Sequence, residues 1–241
     1  MAKRIKAYKN PEFIDGKSAR ALRILAEYLE PKARFEAHGL EDTIVFFGSA
    51  RFKEGNRWYD AACQLAFRLT RWSKTLDLEK QRFVVCTGGG PGIMEAANRG
   101  ASEAGGLNVG LSVSLPHEEA ANPHITRELA FHFHYFFMRK FWLAYMAKAM
   151  IVFPGGFGTL DEMFEVLTLV QTKKMTKPMP IVLFGTEYWK EVINFEALVR
   201  HGTINAADVE LVHRTDSVDD AYEWIVSELT ARALDKPGAT L

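Results

Sequence analysis

Cysteine is nearly absent from this chain, and so is any excess of charge. The 241 residues contain two cysteines, Cys63 and Cys86, each in apolar surroundings and without metal-ligand spacing. They read as reduced core residues of a cytosolic protein rather than parts of a disulfide framework. Basic and acidic residues both number 30, so the formal net charge is zero. The electrostatic footprint of a nucleic-acid polymer binder is missing, although a small basic pocket is still allowed. No apolar run approaches membrane-spanning length, and Lys148 interrupts the longest one. The N-terminus, Met1-Ala2-Lys3-Arg4-Ile5-Lys6, is basic but lacks an apolar signal core. No repeat or low-complexity block stands out. A cytoplasmic protein engaging neither membrane nor nucleic-acid polymer is expected.

What is present is a sizeable core and a regular alternation. Apolar residues make up 48% of the chain, enough for one large domain or two small ones. Residues 1–40 are polar, with a helix around Ser18–Leu29 and a break at Pro31, and read as an N-terminal helical extension packed on a core. Strands are expected at Thr43–Phe47, Arg82–Thr87, Asn108–Val113, Glu128–His134, Ala149–Phe153, Pro180–Phe184 and Val209–His213. Helices are expected at Trp58–Trp72, Ile93–Ala104, Phe136–Ala147, Leu160–Gln171, Tyr188–Val199 and Val218–Leu229. Leu115–Thr126 reads as a polar loop. Residues 231–241 read as a loose tail behind a main domain spanning 41–230. Alternating strands and helices require crossover connections, hence a Rossmann-like α/β fold with a parallel sheet flanked by helices.

Ligands of such sheets bind beyond the C-terminal strand ends. Three of those ends carry small or glycine-rich turns: Gly48-Ser49-Ala50, Gly88–Gly92 and Pro154–Thr159. The third runs from an apolar strand into a helix, the arrangement that cradles a phosphate on backbone N–H groups and a helix dipole. At about 100° per residue, Leu160, Met163, Phe164, Val166, Leu167, Leu169 and Val170 form one apolar arc. Asp161, Glu165 and Thr168 lie opposite. Glu162 falls inside the apolar arc, where an acid is costly without a partner or a task. Arg139 heads a second apolar stripe, with Leu143, Met146 and Met150, where a guanidinium needs an anion. Lys140 starts the neighbouring, more solvated row.

Several chemistries are disfavoured. The first turn supplies no G-x-G-x-x-G, and the second breaks that pattern at Ile93. The only Gly-Lys-Ser, at Gly16-Lys17-Ser18, has Pro11 where a P-loop needs glycine. No G-x-S-x-G elbow is present. His132 and His134 read as ordinary sheet residues. His117, Glu118, Glu119 and His124 can touch a ligand but lack metal-site spacing, so neither metal nor cofactor is expected.

Three segments together resemble the LOG (Lonely Guy) family of cytokinin-activating nucleoside 5′-monophosphate phosphoribohydrolases, often mislabelled lysine decarboxylases. They are Gly88-Gly89-Gly90-Pro91-Gly92-Ile93-Met94-Glu95, the Arg139-Lys140 pair, and Pro154-Gly155-Gly156-x-Gly158-Thr159-x-x-Glu162. The resemblance runs from about Thr43 to Leu229. It implies hydrolysis of a nucleotide's N-glycosidic bond to free base and ribose 5-phosphate, with Arg139 and Glu162 catalytic. It implies phosphate or substrate binding by Gly155, Gly156, Gly158 and Thr159, with Gly89 and Gly90 nearby; Gly48, Ser49 and Lys140 join the candidate site. A homodimer or higher homo-oligomer is also implied. Two departures leave the base open, AMP as well as a cytokinin-type nucleotide. The second glycine turn is one residue shorter than in plant-type members, and Tyr135-Phe136-Phe137 replaces more polar residues before the arginine. A non-catalytic carrier of a nucleotide or phosphorylated cofactor is the competing reading, and an assembly protein with a vestigial site a third.

Overall fold

The computed structural model describes residues 4–76, 78–114 and 122–238. The loop candidates His117, Glu118 and Glu119, the first three residues and the last three lie outside them. A 3-10 turn and the short helix α1 (Pro11–Ile14) lead into α2 (Arg20–Ala37). There follow β1 (Thr43–Phe47), α3 (Arg57–Thr75), β2 (Val84–Thr87), α4 (Ile93–Glu103), β3 (Asn108–Val113), β4 (Ala130–Phe133), α5 (Phe136–Met146), β5 (Ala147–Val152), α6 (Phe157–Gln171), β6 (Ile181–Phe184), α7 (Thr186–Val192), α8 (Phe195–Arg200), β7 (Val212–Thr215) and α9 (Val218–Arg232).

All strand pairs are parallel, in the order β4-β3-β2-β1-β5-β6-β7. The Rossmann-like reading therefore stands. Each β1 residue is buried, as expected for a strand covered on both faces. Val45 and Phe47 join the core beneath α5 and α6, while Ile44 and Phe46 join the core beneath α3, α4 and α9. Chain order changes direction between β1 and β5. This is the topological switch point, where a crevice opens at the C-terminal strand ends.

Several local expectations are corrected. Pro31 does not break its helix; it lies buried inside α2. Proline deprives the carbonyl four residues back of its helical donor, and that carbonyl, on Glu27, accepts Trp142 Nε1–H at 3.0 Å instead. Strand β2 starts after Arg82 and Phe83, because Phe83 takes a left-handed φ of 55° and donates its N–H to Asp42 at 2.7 Å. Helix α5 stops at Met146, so Met150 belongs to β5 rather than to the helical stripe. Buried Lys177 caps that helix end through the carbonyls of Ala144 and Tyr145, at 2.8 and 2.7 Å. The span Tyr188–Val199 splits into α7 and α8, and the Asn194 side chain caps the second by accepting the Ala197 N–H. A 3-10 helix occupies Ala206–Leu211, which shifts the last strand to β7. The described part of the tail is docked, not loose. Arg82 donates to the carbonyls of Ala233 and Leu234, and Lys148 donates to that of Lys236.

Candidate active site

The crevice at the switch point is a cleft of about 690 Å³, a size typical of small-ligand sites. Its walls come from the end of β1 (Gly48, Ser49, Ala50, Arg51, Phe52), the end of β2 with the start of α4 (Gly88, Met94), α5 (Phe136, Arg139), the β5–α6 turn and α7 (Tyr188). The first turn ties the other two together. Ser49 N–H donates to the Pro154 carbonyl at 2.9 Å, and the Ser49 carbonyl accepts Ile93 N–H at 3.1 Å. Two glycines are required for this contact. A side chain on Gly92, whose φ is +71°, would collide with the Ser49 carbonyl. One on Gly155 would collide with Thr159 Oγ1.

Helix α6 begins at Phe157, three residues earlier than the periodicity suggests. Its first internal bond runs from Leu160 N–H to the Gly156 carbonyl at 3.0 Å. The N–H groups of Phe157, Gly158 and Thr159 precede that bond and stand at the cleft. Gly156 and Gly158 have open space where a side chain would be, so a ligand can approach the backbone closely. Tyr188 braces the turn by donating its hydroxyl to the Gly155 carbonyl at 2.7 Å.

Glu162 is buried in the cleft wall at 4% exposure. Arg139 Nη2 donates to its Oε1 at 3.2 Å. Removal from water pushes the Glu162 pKa up to about 7, opposed by the positive charges of Arg139 and Lys140. The Arg139 guanidinium lies 4.4 Å from the centre of the Phe136 ring. The result is a carboxylate poised near neutrality, beside a fixed cation and one turn from an anion cradle.

Of the sequence candidates, Gly48, Ser49, Arg139, Gly155, Gly156, Gly158, Thr159 and Glu162 come together in the cleft. Gly89, Gly90 and Lys140 do not line it. Gly89 is buried beneath the second turn, its N–H donated to Thr87 Oγ1 at 3.0 Å. Lys140 turns to the outer face of α6 and pairs with Asp161 and Glu165, each at 2.8 Å. His132 bonds the hydroxyls of Ser112 and Ser114 on β3 and the turn after it. Among the described residues no group of three metal-ligating side chains could hold an ion. Cleft residues not nominated from sequence include Arg51, Phe52, Met94, Phe136, Phe157, Leu160 and Tyr188. Arg51 and Phe52 directly follow the first turn, which is a readable signal. Tyr188 arrives from a distant helix and leaves none.

Fold and cleft together define an α/β protein of the Rossmann-like class with its site at the switch point. Residues 94–225, more than half of the chain, match the family described as possible lysine decarboxylase. The chain belongs to this family, the LOG family that its motifs resemble. A curated relative is the cytokinin riboside 5′-monophosphate phosphoribohydrolase LOG7 of Arabidopsis thaliana, 26% identical over 220 residues, covering 86% of this chain and 93% of the relative. Another is LOG2 of the same plant, 31% identical over 156 residues, 64% of this chain and 65% of the relative. The fold is similar to an X-ray structure from a structural genomics consortium, with a TM-score of 0.54 and 24% identity over 77% of this chain and 99% of that one. It is also similar to the molybdenum cofactor binding protein from Rippkaea orientalis, with a TM-score of 0.51 and 19% identity over 78% and 96% of the two chains.

Proposed function

We propose that the protein is a nucleoside 5′-monophosphate phosphoribohydrolase. Water adds to C1′ of the ribose, the C1′–N bond breaks, and the base leaves with the proton, giving free base and ribose 5-phosphate. The observation that carries this reading is the largely buried Arg139–Glu162 pair beside the open N-terminus of α6. Breaking the bond develops oxocarbenium charge on the ribose. An ionised Glu162 stabilises that charge and aligns the attacking water. The α6 N–H groups bind phosphate away from the broken bond and so position the sugar. The LOG relatives, named for this reaction, add support from their shared family.

The family's description suggests lysine decarboxylation, which relies on pyridoxal phosphate held by a lysine. The lysines here do not fit that chemistry. Lys140 is engaged by two carboxylates outside the cleft lining, and Lys177 is spent capping α5. A non-catalytic carrier is the second reading, since the fold is shared with a molybdenum cofactor binding protein. A carrier has no need of a carboxylate raised toward neutrality, so Glu162 favours turnover. We also propose a homo-oligomer, because Phe136 and Phe137 of α5 and Phe157 and Phe164 of α6 are exposed. Incubation with a nucleotide panel including AMP and GMP tests the function. Ribose 5-phosphate and free base are expected; tight binding without either product supports the carrier instead.

A further inference from the structure

We propose that Arg51 is the cationic ligand of the substrate phosphate, and that Arg139 stays with Glu162. The inference rests on the phosphoribohydrolase reading and assigns a division of labour within that site. Only two cationic side chains line the cleft among the described residues, Arg51 and Arg139. They differ in every respect that matters. Arg139 is largely buried, donates to Glu162 and lies against Phe136. Moving it to a phosphate would leave a carboxylate of 4% exposure without its cation, which is costly. Arg51 is exposed, and its guanidinium has no hydrogen-bond or ion-pair partner among the described residues.

The backbone of Arg51 is nevertheless fixed. Its N–H donates to Ser49 Oγ at 3.1 Å, and Ser49 is itself bonded on both sides to the other two turns. The side chain therefore springs from a rigid point on the wall of the same cleft that the start of α6 lines. Charge matching points the same way. A phosphomonoester carries about −1.5 to −2 near neutrality, and one helix N-terminus offers about half a positive charge. The start of α4 adds little, because its first N–H is already given to the Ser49 carbonyl. A guanidinium supplies the missing charge and a fork that matches phosphate oxygens.

Calorimetric binding of AMP, adenosine and ribose 5-phosphate to the parent, Arg51→Ala and Arg51→Lys tests the assignment, with hydrolysis assayed in parallel. Because Arg51 is exposed, the melting temperature of both variants is expected to stay at the parental value. Affinity of Arg51→Ala for AMP and ribose 5-phosphate is expected to fall by about tenfold to a hundredfold. Its adenosine affinity should hold, and Arg51→Lys should recover part of the loss. Affinity for AMP within about twofold of the parent, or an equal loss for adenosine, overturns the assignment. Parent binding of AMP without cleavage defeats the hydrolase reading alone and leaves the Arg51 comparison decisive. A parent that binds neither phosphate compound overturns both.

Discussion

Glu162 is the residue on which the proposed chemistry rests, and its protonation is open to measurement. A carbon NMR titration of its side-chain carboxyl in the free protein is expected to show a midpoint near the value of about 7 that burial imposes. The proposed working form is the carboxylate, so kcat/KM for AMP should rise as pH climbs through that midpoint and level off above it. A midpoint near the ordinary glutamate value of about 4.3 would contradict this. The glycines of the third turn make a second residue-scale contrast. Gly155→Ala drives a methyl group into Thr159 and should destabilise by about 1–3 kcal/mol in thermal or urea melts, with loss of AMP binding. Gly156→Ala meets nothing within 4 Å and should melt like the parent. Equal melting of the two variants would remove the close approach from the account. The position of Glu162 was legible because helical phase alone sets an acid on an apolar arc. The direction of Lys140 was legible only as a more solvated row; that it meets Asp161 and Glu165 depends on how α5 lies across α6.

Helix α5 is the element on which the pair depends, and α2 holds it in place. Tyr135 precedes α5 without a side-chain cap of its own sequence. The carboxylate of Glu27, on α2, instead anchors the residues just before the helix, accepting the N–H groups of His134 and Tyr135 at 2.7 and 3.1 Å. Glu27→Ala is therefore expected to lower stability by about 1–3 kcal/mol, read from the urea midpoint, and to reduce turnover because Arg139 lies one turn further on. An unchanged midpoint would mean that α5 holds its own start. The long, strongly patterned elements β1, α3, α4 and β3 were legible almost to the residue, since burial on both faces or one stripe writes itself into the order of apolar residues. The failures lie where tertiary partners replace local bonds. Pro31 stays helical because Trp142 satisfies the orphaned Glu27 carbonyl, and α5 passes directly into β5 because Lys177 caps it. No local pattern announces either.

Across the whole molecule, the N-terminal extension settles which face of α5 remains free. Trp142, midway along α5, is buried at 2% exposure beneath Tyr28 and Phe35 of α2. On α5 and α6 the exposed aromatic residues are Phe136, Phe137, Phe157 and Phe164, of which Phe136 and Phe157 line the cleft. Sedimentation at micromolar concentration is expected to give a dimer or larger assembly, and Phe137→Ser with Phe164→Ser to shift it toward monomer. A parental monomer with full activity would contradict a shared interface. The proposed role of Glu162 is to drive cleavage of the glycosidic bond of a nucleotide held by the glycine turns. Its most direct test is a single-turnover reaction of AMP with the parent and with Glu162→Gln, following ribose 5-phosphate and adenine. The parent should release both, while the variant folds and binds AMP but loses about a hundredfold or more in rate. Parental product formation by Glu162→Gln would contradict it.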